Sequence, residues 1–357
     1  MSGFYSLKIT NIRRETADSV SICFDVPQEM AERFVFRPGQ HLTVRQQINN
    51  EEVRRNYSVC VAPHENELRI AVKQVAGGVF STWANTALQA GAVIDVMSPH
   101  GSFTWKFEAA KKRRYVCFAG GSGITPILSI IKSGLREEPN SSFTLFYGNR
   151  STATIMFLEE LAGLKNRYLD RLEVYHFLED EFEDVELFNG RLDRAKADDV
   201  LKTLVTPADV DAFFICGPGP MMSAVEEALH ANNVAKEKIL IERFTTGALS
   251  TAQVEAAKAL QKEAAGRKVQ ITLDGRRRQF TFDAEKGSIL ENARAAGAPA
   301  PFACKAGVCA TCRAKVVSGE VKMNQNYGLS AEELAQGYVL TCQAVPMTDD
   351  VKLDYDA

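Results

Sequence analysis

The chain has 357 residues, of which 45% are hydrophobic and 24% charged, and its formal net charge is −3. A chain of this length is too long to fold around one ordinary hydrophobic core, so we predict two or three domains. The near-neutral charge argues against nucleic acid or an anionic membrane surface as a partner, and no apolar run approaches the length of a membrane span. The start lacks the apolar core of a secretory signal, so we expect a cytoplasmic, reducing location.

The first part of the chain, residues 1–110, is typical of an antiparallel β-barrel. Short runs of alternating apolar residues are separated by turn residues, as in LKIT, SICFDV, HLTV, YSVCV and LRIAV. Such short strands with frequent turns predict a barrel or sandwich.

The middle of the chain, residues 111–247, changes to strands followed by amphipathic helices. YVCFAG precedes ITPILSIIKSGL, and AFFICG precedes PMMSAVEEALHA. This alternation predicts a parallel α/β sheet. Residues 248–266 are rich in Ala, Glu and Lys and lack strand formers, which predicts a partly helical linker. Residues 267–357 are again β-rich, with one short helix near SILENARAAG.

Three of the eight cysteines lie within nine residues, and a fourth follows after 29 intervening residues: Cys304, Cys309, Cys312 and Cys342. A structural zinc site usually has two C-x-x-C pairs, whereas only one occurs here. A zinc knuckle or a chance grouping remains the alternative. The order C-x4-C-x2-C with a distant fourth cysteine is the plant-type [2Fe–2S] spacing. This region therefore resembles a plant-type ferredoxin, which implies a β-grasp fold with these four cysteines as ligands.

Two glycine-rich turns follow strands of the α/β region, AGGSGIT at 119–125 and CGPGPM at 216–221. Glycines allow a close approach to pyrophosphate, and a helix N-terminus favours its charge. Each turn alone could be an ordinary strand–helix connection. Together they resemble the nicotinamide-nucleotide domain of the ferredoxin–NADP reductase superfamily, which implies nucleotide contacts from Gly121, Gly123, Thr125, Cys216, Pro218 and Met221.

The same superfamily carries an R-x-Y-S flavin motif ahead of the nucleotide domain, and Arg55-Asn56-Tyr57-Ser58 matches it. A guanidinium suits a pyrophosphate, and an aromatic ring can cover a flavin face. The resemblance implies FAD contacts from Arg55, Asn56, Tyr57, Ser58, Lys73, Gly78, Val79 and Ser81. It also implies catalytic positions for Ser58 near flavin N5 and for Cys216 beside the nicotinamide. Phe244 is a candidate to cover the flavin, or a core aromatic.

The three predicted cofactors fit one electron path. A nicotinamide gives up two electrons as hydride, a [2Fe–2S] cluster accepts one at a time, and a flavin can stand between them. The chain resembles the reductases of multicomponent oxygenases. RRNYSVC, FICGPGPMM and CKAGVCATC resemble the reductase subunits of phenylacetyl-CoA epoxidases, which implies a di-iron oxygenase as acceptor. Alternatives are the reductase of another aromatic-ring oxygenase, or a stand-alone NAD(P)H oxidoreductase for small acceptors.

The choice between NADPH and NADH depends on few residues. Arg150-Ser151 follows the strand FTLFYGN and would suit a ribose 2′-phosphate. However, plant members of the superfamily place a Ser-Arg pair after the next strand, where this chain has Phe177-Leu178-Glu179-Asp180. We expect NADPH, because the resemblance to the epoxidase reductases favours it.

Overall fold

The computed structural model of the protein describes residues 3–244 and 251–357, without the side chains of residues 251–253. In chain order these residues form an antiparallel barrel, a parallel α/β domain and an α+β domain, which confirms the predicted fold class. Residues 1–2, the end of the predicted nucleotide domain (245–247) and the start of the predicted linker (248–250) lie outside the described residues. Within the described ranges, no helix is long and apolar enough to cross a bilayer.

The barrel has six strands: β1 (Phe4–Thr16), β2 (Ser19–Asp25), β3 (His41–Ile48), β4 (Glu51–Ser58), β5 (Leu68–Lys73) and β6 (Val93–Met97). Neighbours pair antiparallel in the order β4-β3-β6-β1-β2-β5. The two edge strands meet just beyond β4, where Val59 bridges Ile70. The sheet therefore curls towards closure. Helix α1 (Val79–Thr86) packs against β5 and adds the fully buried Phe80 to the core.

Alternation along the strands determines which side chains line the barrel interior. Val20, Ile22 and Phe24 of β2 pack in one core with Leu7 and Ile9 of β1. Each such side chain stabilises the fold by about 1.5–3 kcal/mol when fully buried. The same period of two sends successive side chains of β4 to opposite faces of the sheet. The predicted flavin motif therefore presents side chains on both faces.

The nucleotide domain is a parallel sheet between two helical layers. Its strands are β7 (Arg114–Gly120), β8 (Ser142–Asn149), β9 (Leu172–Leu178), β10 (Ala212–Cys216) and β11 (Ile239–Glu242), and its helices are α2 (Ile124–Glu137), α3 (Leu158–Arg167), α4 (Arg194–Thr203) and α5 (Gly219–Ala231). The strand order is β11-β10-β7-β8-β9. From β7 and from β10 the chain proceeds in opposite directions across the sheet. The switch point, where such sheets bind ligands, therefore lies between these two strands.

The third domain is a mixed sheet with short helices. Its strands are β12 (Lys268–Leu273), β13 (Arg276–Thr281), β14 (Arg313–Ser318), β15 (Val321–Met323), β16 (Tyr338–Leu340), β17 (Ala344–Pro346) and β18 (Val351–Asp354), and its helices are α6 (Thr251–Ala264), α7 (Ile289–Ala295) and α8 (Ala331–Ala335). The main sheet has the order β13-β12-β18-β14-β16, and β15 pairs separately with β17. Only the β12–β18 pair is parallel among these described strands.

Helix α6 occupies most of the predicted linker and packs onto the third domain. Ala264 is fully buried in that domain's core, and Leu260 packs against the same core. From residue 251 onwards the segment is therefore attached to the ferredoxin-like domain.

A buried lysine joins the first two domains. Lys132 of α2 is 6% exposed, and its ammonium lies 2.9 Å from both carboxylate oxygens of Glu65 in the barrel and also contacts Glu160 of α3. One turn earlier, Ser129 donates a hydrogen bond of 2.6 Å to the carbonyl of Val61. Breaking a buried ion pair leaves an unpaired charge at a cost of about 3–5 kcal/mol. These contacts therefore favour one orientation of the barrel on the nucleotide domain.

Candidate redox site

The β4 strand presents the predicted flavin motif. Ser58 is 2% exposed, and its Oγ is buried without a hydrogen-bond partner among the described residues. Because buried polar atoms in folded proteins are nearly always paired, this hydroxyl suits a ligand atom such as flavin N5. The Tyr57 ring lies 5.4 Å from that of Phe80, and burial raises the pKa of its phenol. The residues present therefore fit a flavin.

The predicted FAD contacts Gly78, Val79 and Ser81 lie at the start of α1. Gly77 has a φ of +70°, which a residue with a Cβ adopts only with strain. The Ser81 hydroxyl accepts from the backbone N–H of Val75 at 3.2 Å and donates to the carbonyl of Gly78 at 3.3 Å. Ser81 therefore stabilises the turn, and the backbone N–H groups at the beginning of α1 remain suited to a phosphate. The Lys73 ammonium, whose pKa burial lowers, lies 3.8 Å from Asp18.

The two glycine-rich turns meet at the switch point. A Cβ at Gly123 would lie 2.1 Å from the carbonyl oxygen of Cys216, so only glycine allows this approach. Pro218 and Met221 pack closely over Gly120. A Cβ at position 120 would lie 2.6 Å from the Pro218 side chain and 2.9 Å from the Met221 side chain. The Thr125 hydroxyl donates to the carbonyl of Ser122 at 3.0 Å and stabilises the turn that contains Gly121. The predicted nucleotide residues thus converge on one crevice.

Neighbouring strand positions and one side-chain contact lead from Cys216 to Ser58. Cys216 is fully buried and pairs in register with Glu242 of β11. A Glu242 carboxylate oxygen lies 3.7 Å from Nδ1 of His41, and His41 pairs in register with Ser58. Burial raises the pKa of the Cys216 thiol and raises that of Glu242 to about 8. Glu242 and His41 therefore lie between the two predicted catalytic positions.

Phe244 lies two residues beyond β11, at the end of the first described range. Its side chain is 38% exposed, so it is not a core aromatic. An exposed ring at this position is compatible with the predicted role of covering the flavin.

Arg150 and Ser151 lie beside the acidic segment that follows β9. The Arg150 side chain is 62% exposed, with its guanidinium 3.9 Å from Asp18, and its carbonyl accepts from the N–H of Asp180 at 2.8 Å. Glu181 accepts hydrogen bonds from the backbone N–H and the hydroxyl of Thr152, at 2.9 and 2.5 Å. A nucleotide ribose here would therefore meet both signs of charge.

The four predicted cluster ligands form two contacting pairs, Cys304 with Cys309 and Cys312 with Cys342. Among the described residues, no group of three or more His, Cys, Asp or Glu side chains is arranged around one metal ion. Two pairs suit a binuclear cluster, in which each iron takes two thiolates. Hydrogen bonds from Cys304 and Cys312 lower the pKa values of Cys309 and Cys342 respectively. The donor set therefore fits a [2Fe–2S] cluster.

The segment from Cys304 to Cys312 is called the ligand loop below, and its backbone N–H groups face the sulfur of Cys304. The N–H groups of Ala306 and Cys309 donate to Cys304 Sγ at 3.3 and 3.4 Å. Lys305 and Ala310 have φ values of +55° and +53°, and this left-handed backbone turns the loop around its ligands. The remaining cysteines lie elsewhere: Cys23, Cys60, Cys117 and Cys216.

The ligand loop packs directly on the barrel. The Thr311 hydroxyl lies 3.3 Å from that of Thr43 and 3.2 Å from Nε2 of His100. Arg54, the residue before the flavin motif, donates to the carbonyl of Phe302 at 3.2 Å, and its guanidinium lies 4.2 Å from the centre of that ring. The predicted flavin site and the predicted cluster site are thus neighbours.

The contact region between the ligand loop and the barrel, together with the neighbouring His41 and Glu242, is called the junction below. Its residues were not predicted from the sequence. His41, Thr43, His100, Thr311 and Glu242 carry no short motif, and no role is predicted for any histidine. One residue of this region could have been noticed in the sequence. Arg54 directly precedes the R-x-Y-S motif and adds a second positive charge to the strand that carries it.

Together the fold and the site define an NAD(P)H-dependent oxidoreductase with flavin and iron–sulfur centres. Family profiles match the three domains: an oxidoreductase FAD-binding domain at residues 6–105, an oxidoreductase NAD-binding domain at 118–227, and a 2Fe-2S iron-sulfur cluster binding domain at 271–347.

Comparisons with whole proteins also match nearly the full length of the chain. The chain is 42% identical over 357 residues to one subunit of the 1,2-phenylacetyl-CoA epoxidase of Escherichia coli K12, covering 100% of this chain and 99% of that protein. It is 32% identical to the ferredoxin reductase component of 3-ketosteroid-9-alpha-monooxygenase of Rhodococcus rhodochrous, covering 98% and 96%. The solved structure of phthalate dioxygenase reductase shares the fold, with a TM-score of 0.59, 24% identity, and coverage of 99% and 98%.

The chain therefore belongs to the ferredoxin–NADP reductase-like family of oxygenase reductases with a C-terminal plant-type ferredoxin domain. Members of this family are electron-transfer components, and this chain has their FAD, nucleotide and [2Fe–2S] domains. The predicted family and enzyme class are confirmed.

Proposed function

We propose that this protein passes electrons from NADPH through FAD and a [2Fe–2S] cluster to a di-iron oxygenase that acts on phenylacetyl-CoA. The observation that carries the electron path is the junction between the ligand loop and the barrel. The loop packs against the barrel at Thr43 and His100, near His41 and Glu242, which lie between the positions of Ser58 and Cys216. The similarity to the epoxidase component supports the acceptor. A cytoplasmic location suits a cluster held by thiolates, because thiols stay reduced there.

The chain's own residues prepare the site for this transfer. The bound flavin would accept hydride and deliver single electrons. Cys216 would lie beside the nicotinamide in the crevice, and its burial raises the pKa of the thiol and keeps it protonated at neutral pH. The Ser58 hydroxyl has no hydrogen-bond partner in the part of the chain that the structure describes, so it would be available to the flavin, and the buried groups around it would exclude water. Arg54 and Thr43 place the ligand loop next to the flavin strand.

The acceptor is tested by reconstitution with purified oxygenase components. We expect the di-iron oxygenase with phenylacetyl-CoA to accelerate NADPH consumption and to form the epoxide. The 3-ketosteroid oxygenase component, with its own substrate, is the comparison. Faster turnover with that component, or no response to either, would contradict the proposed acceptor.

The proposed preference for NADPH is tested at Arg150. Its exposed guanidinium can accept a further anionic partner, and a charge-assisted contact is worth about 1.5–3 kcal/mol. We therefore expect Arg150→Ala to raise the KM for NADPH by about tenfold or more and to leave the KM for NADH nearly unchanged. Arg191→Ala is the control, because Arg191 is 80% exposed and pairs with Glu179 in the same region. Equal effects on both nucleotides would indicate that Arg150 acts only through its contact with Asp18.

A further inference from the structure

One hydroxyl in the junction faces more acceptors than it has protons. Thr311 lies between the ligands Cys309 and Cys312 and is 8% exposed. Its Oγ1 is 3.1 Å from Cys309 Sγ, 3.2 Å from His100 Nε2 and 3.3 Å from Thr43 Oγ1. The first contact is within the cluster loop, whereas the other two exist only while the ferredoxin domain is docked on the barrel.

The chemistry of the neighbours decides where protons can come from. Cys309 has no proton once it binds iron. His100 Nδ1 is 3.0 Å from the carbonyl of Ser98, which can only accept, so Nδ1 carries the ring proton and Nε2 of the neutral ring accepts. The Thr43 Oγ1 also lies 3.4 Å from His100 Nε2, but its single proton is donated to the nearer acceptor, Asn56 Oδ1, at 2.8 Å. Within this group of described side chains, the Thr311 hydroxyl therefore has the one proton that both Cys309 and His100 can receive.

We propose that Thr311 and His100 together set the reduction potential of the cluster while the ferredoxin domain is docked. This inference rests on the proposed electron-transfer function. A hydrogen bond to a ligand sulfur stabilises the reduced cluster more than the oxidised one, because reduction adds negative charge. His100 competes for that hydrogen bond and so lowers the potential of the docked state.

Release of the domain would reverse this effect. When the ligand loop leaves the barrel, Thr311 loses His100 and can donate fully to Cys309. The reduced cluster is then stabilised, and the electron is held more tightly on the domain that carries it to the acceptor. Docking of the ferredoxin domain and the reduction potential of the cluster are thereby coupled through the hydroxyl of Thr311. Thr311 is a positioning residue and not a catalytic one.

The test is an EPR-monitored redox titration of the full-length protein containing FAD and cluster. Thr311→Val removes the donor, so the cluster should become about tenfold harder to reduce, a fall of ~59 mV for a one-electron couple. Thr311→Ser keeps the hydroxyl and should restore the potential. His100→Phe keeps a ring but removes the competing acceptor, so the potential should rise. Ser102→Ala is the control, because it removes a different contact of the same interface, to Gly328.

Opposite shifts for the Thr311→Val and His100→Phe variants support the proposal. An unchanged potential in both, or shifts in the same direction, would overturn it. If Thr311→Val fails to assemble a cluster, a raised potential in His100→Phe together with a wild-type potential in Thr311→Ser supports the proposal, and an unchanged or lowered potential in His100→Phe overturns it. Failure of NADPH to reduce the wild-type cluster through the flavin would contradict the proposed function instead. The potentials from the redox titration do not depend on NADPH, so they would still decide the roles of Thr311 and His100.

Discussion

Replacing Cys342 with Ala is expected to abolish the [2Fe–2S] spectrum while flavin stays bound. Cys342 pairs with Cys312 on one side of the predicted cluster, and an iron left with one protein thiolate loses half of its protein ligands. The flavin strand β4 does not depend on this residue, so the flavin absorbance should persist. Absorbance and EPR spectra of the purified variant, with its iron and flavin content, measure both effects.

The matched control is Cys23→Ala. Cys23 lies in the barrel, where its thiol is 3.5 Å from Glu67, and its loss should leave both spectra unchanged. Serine is a poorer replacement for Cys342, because its oxygen can still ligate iron. A normal cluster in the Cys342→Ala protein would rule out the assignment of this residue as a ligand.

Cutting the chain between the nucleotide and ferredoxin domains is expected to make flavin-to-cluster transfer second order. The ferredoxin domain is nearly neutral, with 12 Lys+Arg against 11 Asp+Glu from Arg267 to Ala357, so it lacks strong charge for steering. A tether supplies an effective concentration of about a millimolar instead. Transfer at ~10 µM should therefore slow by about a hundredfold and recover when the halves are mixed at high concentration.

The structure suggests where to cut and how to sharpen this experiment. Because α6 packs onto the ferredoxin core, a protease site belongs between residues 244 and 251. Arg54→Ala, which removes the contact with Phe302, should slow transfer further after cleavage. Arg33→Ala is its control, since Arg33 lies over Tyr5 within the barrel, 5.4 Å from the ring centre.

Stopped-flow absorbance of the cleaved protein over a range of concentrations measures the order of the reaction. Transfer that stays first order and equally fast after cleavage would mean that the two halves remain docked. The idea that the ferredoxin domain exchanges between the flavin and an external acceptor would then have to be abandoned.

Features whose chemistry depends on neighbours along the chain could be predicted from the sequence alone. Three of the four cluster ligands lie within nine residues, because one loop must wrap the cluster. The motif from Arg55 to Ser58 is one strand, and each glycine-rich turn is a single strand–helix connection. The periods of two and 3.6 residues indicated the barrel and the α/β sheet, since each strand or helix buries its own apolar face.

The way in which these parts meet depends on the three-dimensional packing of the domains. Thr311 and Thr43 are 268 residues apart in the chain, and Arg54 and Phe302 are 248 apart, so no local pattern relates them. The predicted linker forms α6, whose Ala264 is buried because the third domain covers it. Likewise the acidic residues near Arg150 lie on a different loop, brought close by the pairing of β8 with β9. A sequence records which side chain each residue carries, whereas contacts between separate domains depend on the packing of whole surfaces, and that packing placed His100 beside Thr311.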